Sequence, residues 1–422
     1  MSNREITLFI FIASYMLFVI LPKKRTWVAL ISALTIIFLR IITFRDAFLL
    51  INWNVMGIFI GTLLVADIFM ESRMPAYIAE KIVNRSKNVC WAILSLCALT
   101  GVISAFVENV ATVLIVAPIA FSLARKLKMN PANMMIAIAI SSNLQGTATL
   151  IGDPPSMLLA GFAKMNFMDF FFYKGKPSIF FAVELGAIVS FFVLYFIFKG
   201  NRRKAEITNT ENIHSWVPTS ILILLIIALA FSSFLDENFS YLAGVICLFF
   251  GIVSLIWKKF SNEGSIIEGL KTLDWETSLF LMGIFILVGT LHLTGWIKEI
   301  SKFFSSLVGS NIFFGYSVLV FSAVFFSAFV DNVPLLATML PVAIYMAKEL
   351  NANPSLFLFG LLLGASLGGN ITPIGASANI VACGLLKKEG IIVKFKDFVK
   401  IGLPFTLSAV ISAYLLVWFV WK

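Results

Sequence analysis

Two acid–amide pairs, Glu108-Asn109 and Asp331-Asn332, stand in the middle of long apolar runs, and a third acid, Asp153, precedes Pro154-Pro155 in another. A carboxylate surrounded by apolar sequence needs a proton, a cation or a polar partner, because its charged form is costly away from water. Such a group can alternate between H⁺ and Na⁺, which is the chemistry of ion coupling. The amides and hydroxyls nearby, Asn109, Thr112, Asn143, Thr147 and Thr149, then Asn332, Asn370, Thr372, Ser377 and Asn379, supply neutral oxygens and N–H donors. Those groups can hold a small anion or, through Asn109, Thr149, Asn332 and Thr372, a Na⁺ ion. Gly146, Gly152, Gly368, Gly369 and Gly375 permit close backbone approach, and Pro154, Pro155 and Pro373 limit helix continuation.

These residues belong to a stretch that occurs twice. SAFVENVATVLIVAPIAFSLARKL, from Ser104, matches SAFVDNVPLLATMLPVAIYMAKEL, from Ser327, with ten of 24 positions identical at an offset of 223. The offset continues through Gly146/Gly369, Thr149/Thr372, Ile151/Ile374 and Gly152/Gly375. Glu108 and Asp331 are equivalent, whereas Asp153 has Ala376 as its counterpart.

The chain that carries the repeats is 60% hydrophobic and 13% charged over 422 residues, with a mean hydropathy of +0.97. Soluble domains carry about 25% charge, so repeated apolar runs of this length read as transmembrane helices. Period-2 alternation, the mark of a membrane barrel, is absent from these runs. The net charge of +10 does not indicate nucleic acid, because the basic residues sit in short gaps between apolar runs. Cys90, Cys97, Cys247 and Cys383 show no metal-ligand spacing, and GLLKKEG at 384–390 lacks the spacing of a phosphate loop. No cofactor is implied beyond a bound Na⁺, and no enzyme chemistry. The opening apolar segment has no small-x-small cleavage site and reads as a span rather than a signal peptide.

Spans are predicted at 7–22, 26–44, 49–70 and 178–199 in the first half, and at 216–234, 237–257, 275–296 and 402–421 in the second. Residues 71–88 and 258–274 read as polar loops. Residues 89–124 are too long for one crossing and carry Glu108-Asn109 at their centre. They form either two full spans or a re-entrant hairpin, and the repeat favours the hairpin, with 311–346 as its counterpart. Residues 132–162 and 355–385 read as single helices broken at GTATLIGDPP and GGNITPIGAS. The expected fold is all-α and polytopic: two inverted-topology repeats, each with five crossings, one re-entrant hairpin and one broken helix. The repeats occupy 1–200 and 216–422, joined by a polar linker, 201–215, that contains His214.

Five crossings per half invert the second repeat. The model of alternating loops puts 22 of the 32 Lys and Arg residues on one side, which the positive-inside rule makes cytoplasmic, leaving both termini outside. No Lys or Arg is expected inside a span. Asp67 and Glu184 read as structural or interfacial acids, and His292, with no partner cluster, as a packing or polar-satisfaction histidine. Four helix N-termini, with their free N–H groups, are expected to converge at the hairpins and breaks.

The segments SAFVENVATVLIVAP, GTATLIGDPPSM, SAFVDNVPLLATMLP and GGNITPIGASANI resemble the ion transporter superfamily of arsenite exporters, sodium/proton antiporters, the melanosomal P protein and citrate or dicarboxylate carriers. The resemblance covers essentially the whole chain. It implies a cytoplasmic-membrane secondary transporter with scaffold and transport regions, often a homodimer, working by an elevator-like motion. In the dicarboxylate carriers Ser-Asn-Thr motifs bind substrate and sodium. Here the matching triplets are Glu108-Asn109-Val110 and Asp331-Asn332-Val333, so the asparagines carry over and the hydroxyls do not. The expected function is transport of a small anion or metalloid oxyanion coupled to Na⁺ or H⁺. A Na⁺/H⁺ antiporter and, further off, a channel are the alternatives.

Overall fold

The computed structural model describes residues 2–201, 203–204, 211–261 and 265–422. Its first half holds ten α-helices: α1 (Asn3–Ile20), α2 (Arg25–Phe38), α3 (Phe44–Leu50), α4 (Trp53–Glu71), α5 (Met74–Arg85), α6 (Val89–Ser104), α7 (Asn109–Leu127), α8 (Ala132–Gly146), α9 (Pro154–Ala163) and α10 (Ile179–Phe198). The second half holds ten more in the same order: α11 (Val217–Ser232), α12 (Leu242–Phe260), α13 (Ile266–Thr272), α14 (Trp275–Leu293), α15 (Trp296–Val308), α16 (Ile312–Ser327), α17 (Asn332–Glu349), α18 (Pro354–Gly368), α19 (Ser377–Lys388) and α20 (Phe395–Trp421). A two-residue-per-strand hairpin, Phe172–Tyr173 with Lys176–Pro177, precedes α10.

The local signals that start these helices also repeat. Thr43 and Ser265 each form a capping box. Asn88 and Asn311 accept from the backbone three residues on, at 3.1 and 3.0 Å, and Asn52 and Asp274 do the same for α4 and α14. A side-chain acceptor at the N-cap satisfies an amide that has no intrahelical partner, which matters most where no water can do so.

Among the described residues, eight helices are long and apolar enough to cross a membrane, and α15 and α16 form a further apolar pair bent by 117°. The fold is therefore an all-α, multi-spanning membrane fold of the inverted-repeat transporter type, as the sequence predicts. Two details differ from the sequence reading. The expected polar loops contain α5 and α13, and the short gap after α14 contains α15. These helices are too short to span, and α5 and α15 are amphipathic: α15 buries Ile297, Ser301 and Val308 at helical spacing and exposes Phe303 and Leu307. A search for long apolar runs passes over such segments. The final helix also begins at Phe395, about two turns earlier than expected.

Packing exchanges partners between halves. α4 lies along α12 and α14 along α2; α9 packs on α17 and α19 on α7; α10 and α20 pack on each other. Small residues make the first of these contacts close. A Cβ at Gly57 would stand 3.0 Å from the Gly244 backbone, and one at Gly61 would overlap that of Cys247. The result is an outer group, α1–α4 with α11–α14, and an inner group, α6–α10 with α16–α20.

The expected linker is described only in part, since 202 and 205–210 lie outside the described residues. The described parts are pinned to the first half. Val89 and Cys90 donate to the carbonyls of Arg203 and Asn201, and the His214 amide donates to Ser72 at 3.0 Å.

Candidate functional site

The inner group places two broken backbones opposite two hairpins. Between α6 and α7 the chain turns at residues 105–108, and between α16 and α17 at 328–331. Each turn is clasped by the threonine of a helix break: Thr149 Oγ1 donates to the Ala105 carbonyl, and Thr372 Oγ1 to that of Ala328. Each threonine also accepts from an amide two residues on, Ile151 and Ile374, at 3.4 Å. Glu108 caps α7 through an oxygen 3.1 Å from the Ala111 amide. Asp331 caps α17 at 3.0 Å from the Val333 amide, and Asp153 caps α9 at 3.0 Å from Ser156. At the fourth N-terminus, α19, Ala376 offers no side-chain cap.

Beneath the turns lies a buried amide cluster that joins the halves. Asn143 Nδ2 donates to Asn370 Oδ1 and Asn379 Oδ1, both at 2.9 Å. Asn370 donates in turn to the Ile140 carbonyl at 3.2 Å, and Asn379 to the carbonyls of Gly369 and Thr372 at 3.0 Å. Each of the three Nδ2 groups has an acceptor, which is the condition for burying one. Thr147 Oγ1 lies 3.4 Å from Asp153 Oδ2, and Thr112 is turned to the Glu108 carbonyl at 3.1 Å.

Above this layer a cavity of about 370 Å³ is lined by both turns and both breaks. Glu108 and Asn109 face Asp331 and Asn332 across it, with Asp153-Pro154-Pro155 and Ala376-Ser377-Ala378 contributed by the breaks and Asn143 at its wall. The outer group closes the cavity with Phe59, Leu63 and Asp67 of α4, and with Asp274 and Thr277 at the start of α14. Glu108, Asn109, Asp153, Pro154, Pro155, Asp331, Asn332 and Ser377 thus reach one space. Thr112, Thr147, Thr149, Asn370, Thr372 and Asn379 do not line it; they lie buried behind its wall. The glycines serve the tight backbone there: a Cβ on Gly152 would overlap the Gly146 carbonyl, and one on Gly146 the Asn109 carboxamide.

Several cavity residues were missed by sequence reasoning, Arg25 and Asp274 among them. Arg25, expected in a basic loop, is the first residue of α2, and its guanidinium pairs with Asp331 while lying 5.0 Å from the Phe280 ring centre. It is the one cation among the cavity's lining residues, against the five carboxylates of Asp67, Glu108, Asp153, Asp274 and Asp331. The available signal was a basic residue at a helix start, where the helix dipole disfavours it. Lys258 of α12 is likewise buried, bonded to Asp67 at 2.8 Å and Glu71 at 2.6 Å. Glu184 lies away from this space, in a cavity of about 270 Å³ with Gln145 and Ser141. His292 meets Tyr345 Oη at 3.3 Å, in keeping with a polar-satisfaction role. Among the described residues no group of three or more His, Cys, Asp or Glu is placed to hold a metal ion.

Residues 15–348 and again 252–422 match the citrate transporter family, CitMHS. The chain belongs to that family. It is 27% identical over 418 residues to an uncharacterized transporter of Mycobacterium tuberculosis, covering 97% of this chain and 96% of the relative. It is 26% identical over 438 residues to the mouse P protein, covering 85% of this chain and 53% of that longer protein. Among solved structures it resembles the YdaH transporter of Alcanivorax borkumensis, with a TM-score of 0.59 at 14% identity, covering 86% of this chain and 84% of that one. MtrF of Neisseria gonorrhoeae, described as illuminating a class of antimetabolite efflux pumps, matches with a TM-score of 0.56 at 15% identity, covering 87% of this chain and 81% of that one. The two structures share the fold. Family and fold together make this chain a membrane-embedded secondary-active transporter of the broad anion and ion transporter superfamily, and not an enzyme.

Proposed function

We propose that this protein moves a small anion or metalloid oxyanion across the cytoplasmic membrane, coupled to H⁺ or Na⁺. The observation that carries the reading is the single cavity shared by two hairpin turns and two helix breaks, with amides and acids on the same wall. Asn109, Asn332 and Ser377 contact the substrate, and Thr112, Thr147, Thr149, Asn370, Thr372 and Asn379 hold the shape of that contact from behind. Glu108, Asp153 and Asp331 carry the coupling ion. The turn carbonyls, positioned by Thr149 and Thr372, offer oxygens to Na⁺ together with Asn109 and Asn332.

The repeats correspond to 1–200 and 216–422. The inner group slides as a body against the outer group in an elevator-like motion, within a homodimer embedded in lipid. The end bearing the basic loops faces the cytoplasm and both termini face outside. A second reading, Na⁺/H⁺ antiport, draws support from the five carboxylates in the cavity.

Reconstitution in liposomes separates the two. Imposed pH and Na⁺ gradients are followed while arsenite, sulfate, phosphate, citrate and other carboxylates are supplied in turn. Solute uptake that collapses with the ion gradient is expected. Na⁺-driven proton movement that needs no solute would replace the first reading with the second. Glu108→Gln is expected to alter the ion dependence of uptake, and unchanged dependence would remove Glu108 from the coupling role.

A further inference from the structure

The pair formed by Arg25 and Asp331 joins the outer group to the tip of the second hairpin, and several observations set it apart. Arg25 opens α2, whose N-terminus has no side-chain cap, so it places a cation at the positive end of a helix dipole. Local helix chemistry disfavours that choice, and such conflicts concentrate where function demands them. The two side chains remain 21% and 26% exposed, because they border the cavity rather than the core. Asp331 divides its oxygens: Oδ1 caps α17 at Val333, and Oδ2 takes the guanidinium. Releasing Arg25 therefore leaves the helix cap intact. Beside them, among the described residues, the Asn332 carboxamide has no hydrogen-bond partner and faces the cavity.

The electrostatic surroundings decide what release would require. Asp274 and Glu276 of α14 act on Arg25, and Lys23 and Lys24 precede it in an exposed turn. Across the cavity stand Glu108 and Asp153, and Asp67 is held by Lys258. Tyr15 of α1, bonded to the Pro334 carbonyl, packs near the start of α17 as a neutral group. A carboxylate freed from Arg25 would thus meet other carboxylates and no unpaired cation of the cavity wall.

We propose that Arg25 is the anion-binding residue and that Asp331 occupies its guanidinium when the site is empty. The inference rests on the anion-transport reading above and narrows its substrate class. An incoming oxyanion takes the place of Asp331 Oδ2 on the guanidinium. The displaced carboxylate then takes up one H⁺, or one Na⁺ held with the Asn332 amide oxygen. One monovalent cation enters with each anion, which balances the charge of a singly charged anion and leaves any further negative charge to additional cations, and the set returns to its starting charge when all leave. A planar guanidinium grips two oxygens on one centre, so the substrate is a carboxylate or a tetrahedral oxyanion. A neutral metalloid hydroxide is disfavoured.

The test uses the purified full-length protein, with citrate, phosphate and sulfate as probes and calorimetric titration at several pH values and Na⁺ concentrations. Wild-type affinity for the bound probe is expected to rise about tenfold per tenfold increase in the coupling cation, one cation per anion. Asp331→Asn keeps a good cap and frees Arg25. It should bind the probe about 10-fold more tightly at high pH without Na⁺, with the cation dependence gone. Arg25→Gln should lose about 100-fold in affinity, and Arg25→Lys should recover only part of it.

Anion binding that keeps its full cation dependence in Asp331→Asn overturns the exchange while leaving anion transport standing. Absence of binding by any probe to the wild type, together with Na⁺-driven proton flux, overturns both. If Arg25→Gln does not fold, the Asp331→Asn titration decides alone.

Discussion

The two hairpin tips share a backbone and differ in chemistry. At the first, Ser104 donates to Asn109 Oδ1 at 2.5 Å, and Ser142 donates to the Asn109 carbonyl at 3.1 Å. At the second, Ala365 stands where Ser142 stands in the first repeat, Ser327 turns to the Ala365 carbonyl, and Asn332 is left unbonded among the described residues. The acids differ in the same sense, since Asp331 pairs with Arg25 while, among the described residues, no cation is bonded to Glu108. The first tip is therefore tied into its own repeat and the second tied to the outer group. Symmetry builds the turns, and departures from symmetry assign them different tasks.

The shared part of that comparison should break first and hardest. A methyl group on Gly152 meets the Gly146 carbonyl, and one on Gly375 would stand 2.5 Å from the Gly369 carbonyl. Both obstacles are backbone, so neither can rotate away. Gly152→Ala and Gly375→Ala should each destabilise the protein by about 3 kcal/mol, at the upper end of overpacking costs. Thermal unfolding in detergent reads the effect, and Gly384→Ala, which meets nothing within 4 Å, is the control. Equal losses in the two repeats support a common backbone; a loss in one alone would show that only that break is tightly packed.

The next effect tests an asymmetry. Asn143 and Ser366 are equivalent positions at the offset of 223, yet Asn143 holds two amides of the other half and, among the described residues, the buried Ser366 Oγ has no hydrogen-bond partner. Removing a donor from a buried network leaves acceptors unsatisfied at about 1–3 kcal/mol. Asn143→Ala should fall in that range, whereas Ser366→Ala should be neutral or slightly stabilising. Matching losses would mean that Ser366 has a polar partner in the membrane-embedded protein.

How much of this was legible beforehand follows the same division. The acid–amide pairs, the Thr149/Thr372 positions and the broken helices stood out because polar residues and glycines interrupt apolar runs, and repetition at one offset doubled each signal. The family match agrees with the resemblance those segments carried. What the sequence did not disclose was pairing across distance. Nothing in the order of residues says that Arg25 reaches Asp331, 306 positions away, or that Asn143 meets Asn370 and Asn379. Thr149 and Thr372 read as ligand groups, yet their hydroxyls are spent on turn carbonyls in this conformation, a use that spacing alone cannot distinguish. The amphipathic α5 and α15 were passed over because their signal is a face rather than a run.

A gentler change can convert one tip toward the other. Ser142→Ala removes the hydroxyl on the Asn109 carbonyl, and Ala365→Ser adds one at the equivalent place. Ser142→Ala should cost about 1–2 kcal/mol, because Ser142 Oγ also meets Ser104 Oγ at 2.9 Å, and loosen Asn109 toward the cavity. Uptake assays on the exchanged pair would then show altered substrate affinity with folding retained. Unaltered affinity in both variants would mean that the tethering of Asn109 is structural only.

The smallest effect is expected at an exposed ion pair that also joins the halves. Arg125, near the end of α7, lies 2.6 Å from Glu389, just past α19, with side chains 69% and 38% exposed. Water solvates both partners in either arrangement, and ordering two long side chains offsets the attraction, so such pairs contribute under about 1 kcal/mol. Glu389→Gln should leave the unfolding temperature and the ion dependence of transport nearly unchanged. Raising the salt concentration should erase what difference there is, since exposed charges are screened within about 10 Å at 0.1 M. Arg25 and Asp331 instead join the outer group to the inner group, at the cavity wall beside other carboxylates. A strong effect of Glu389→Gln on coupling would therefore place control of the motion at the surface contact between α7 and α19 rather than at the second hairpin tip.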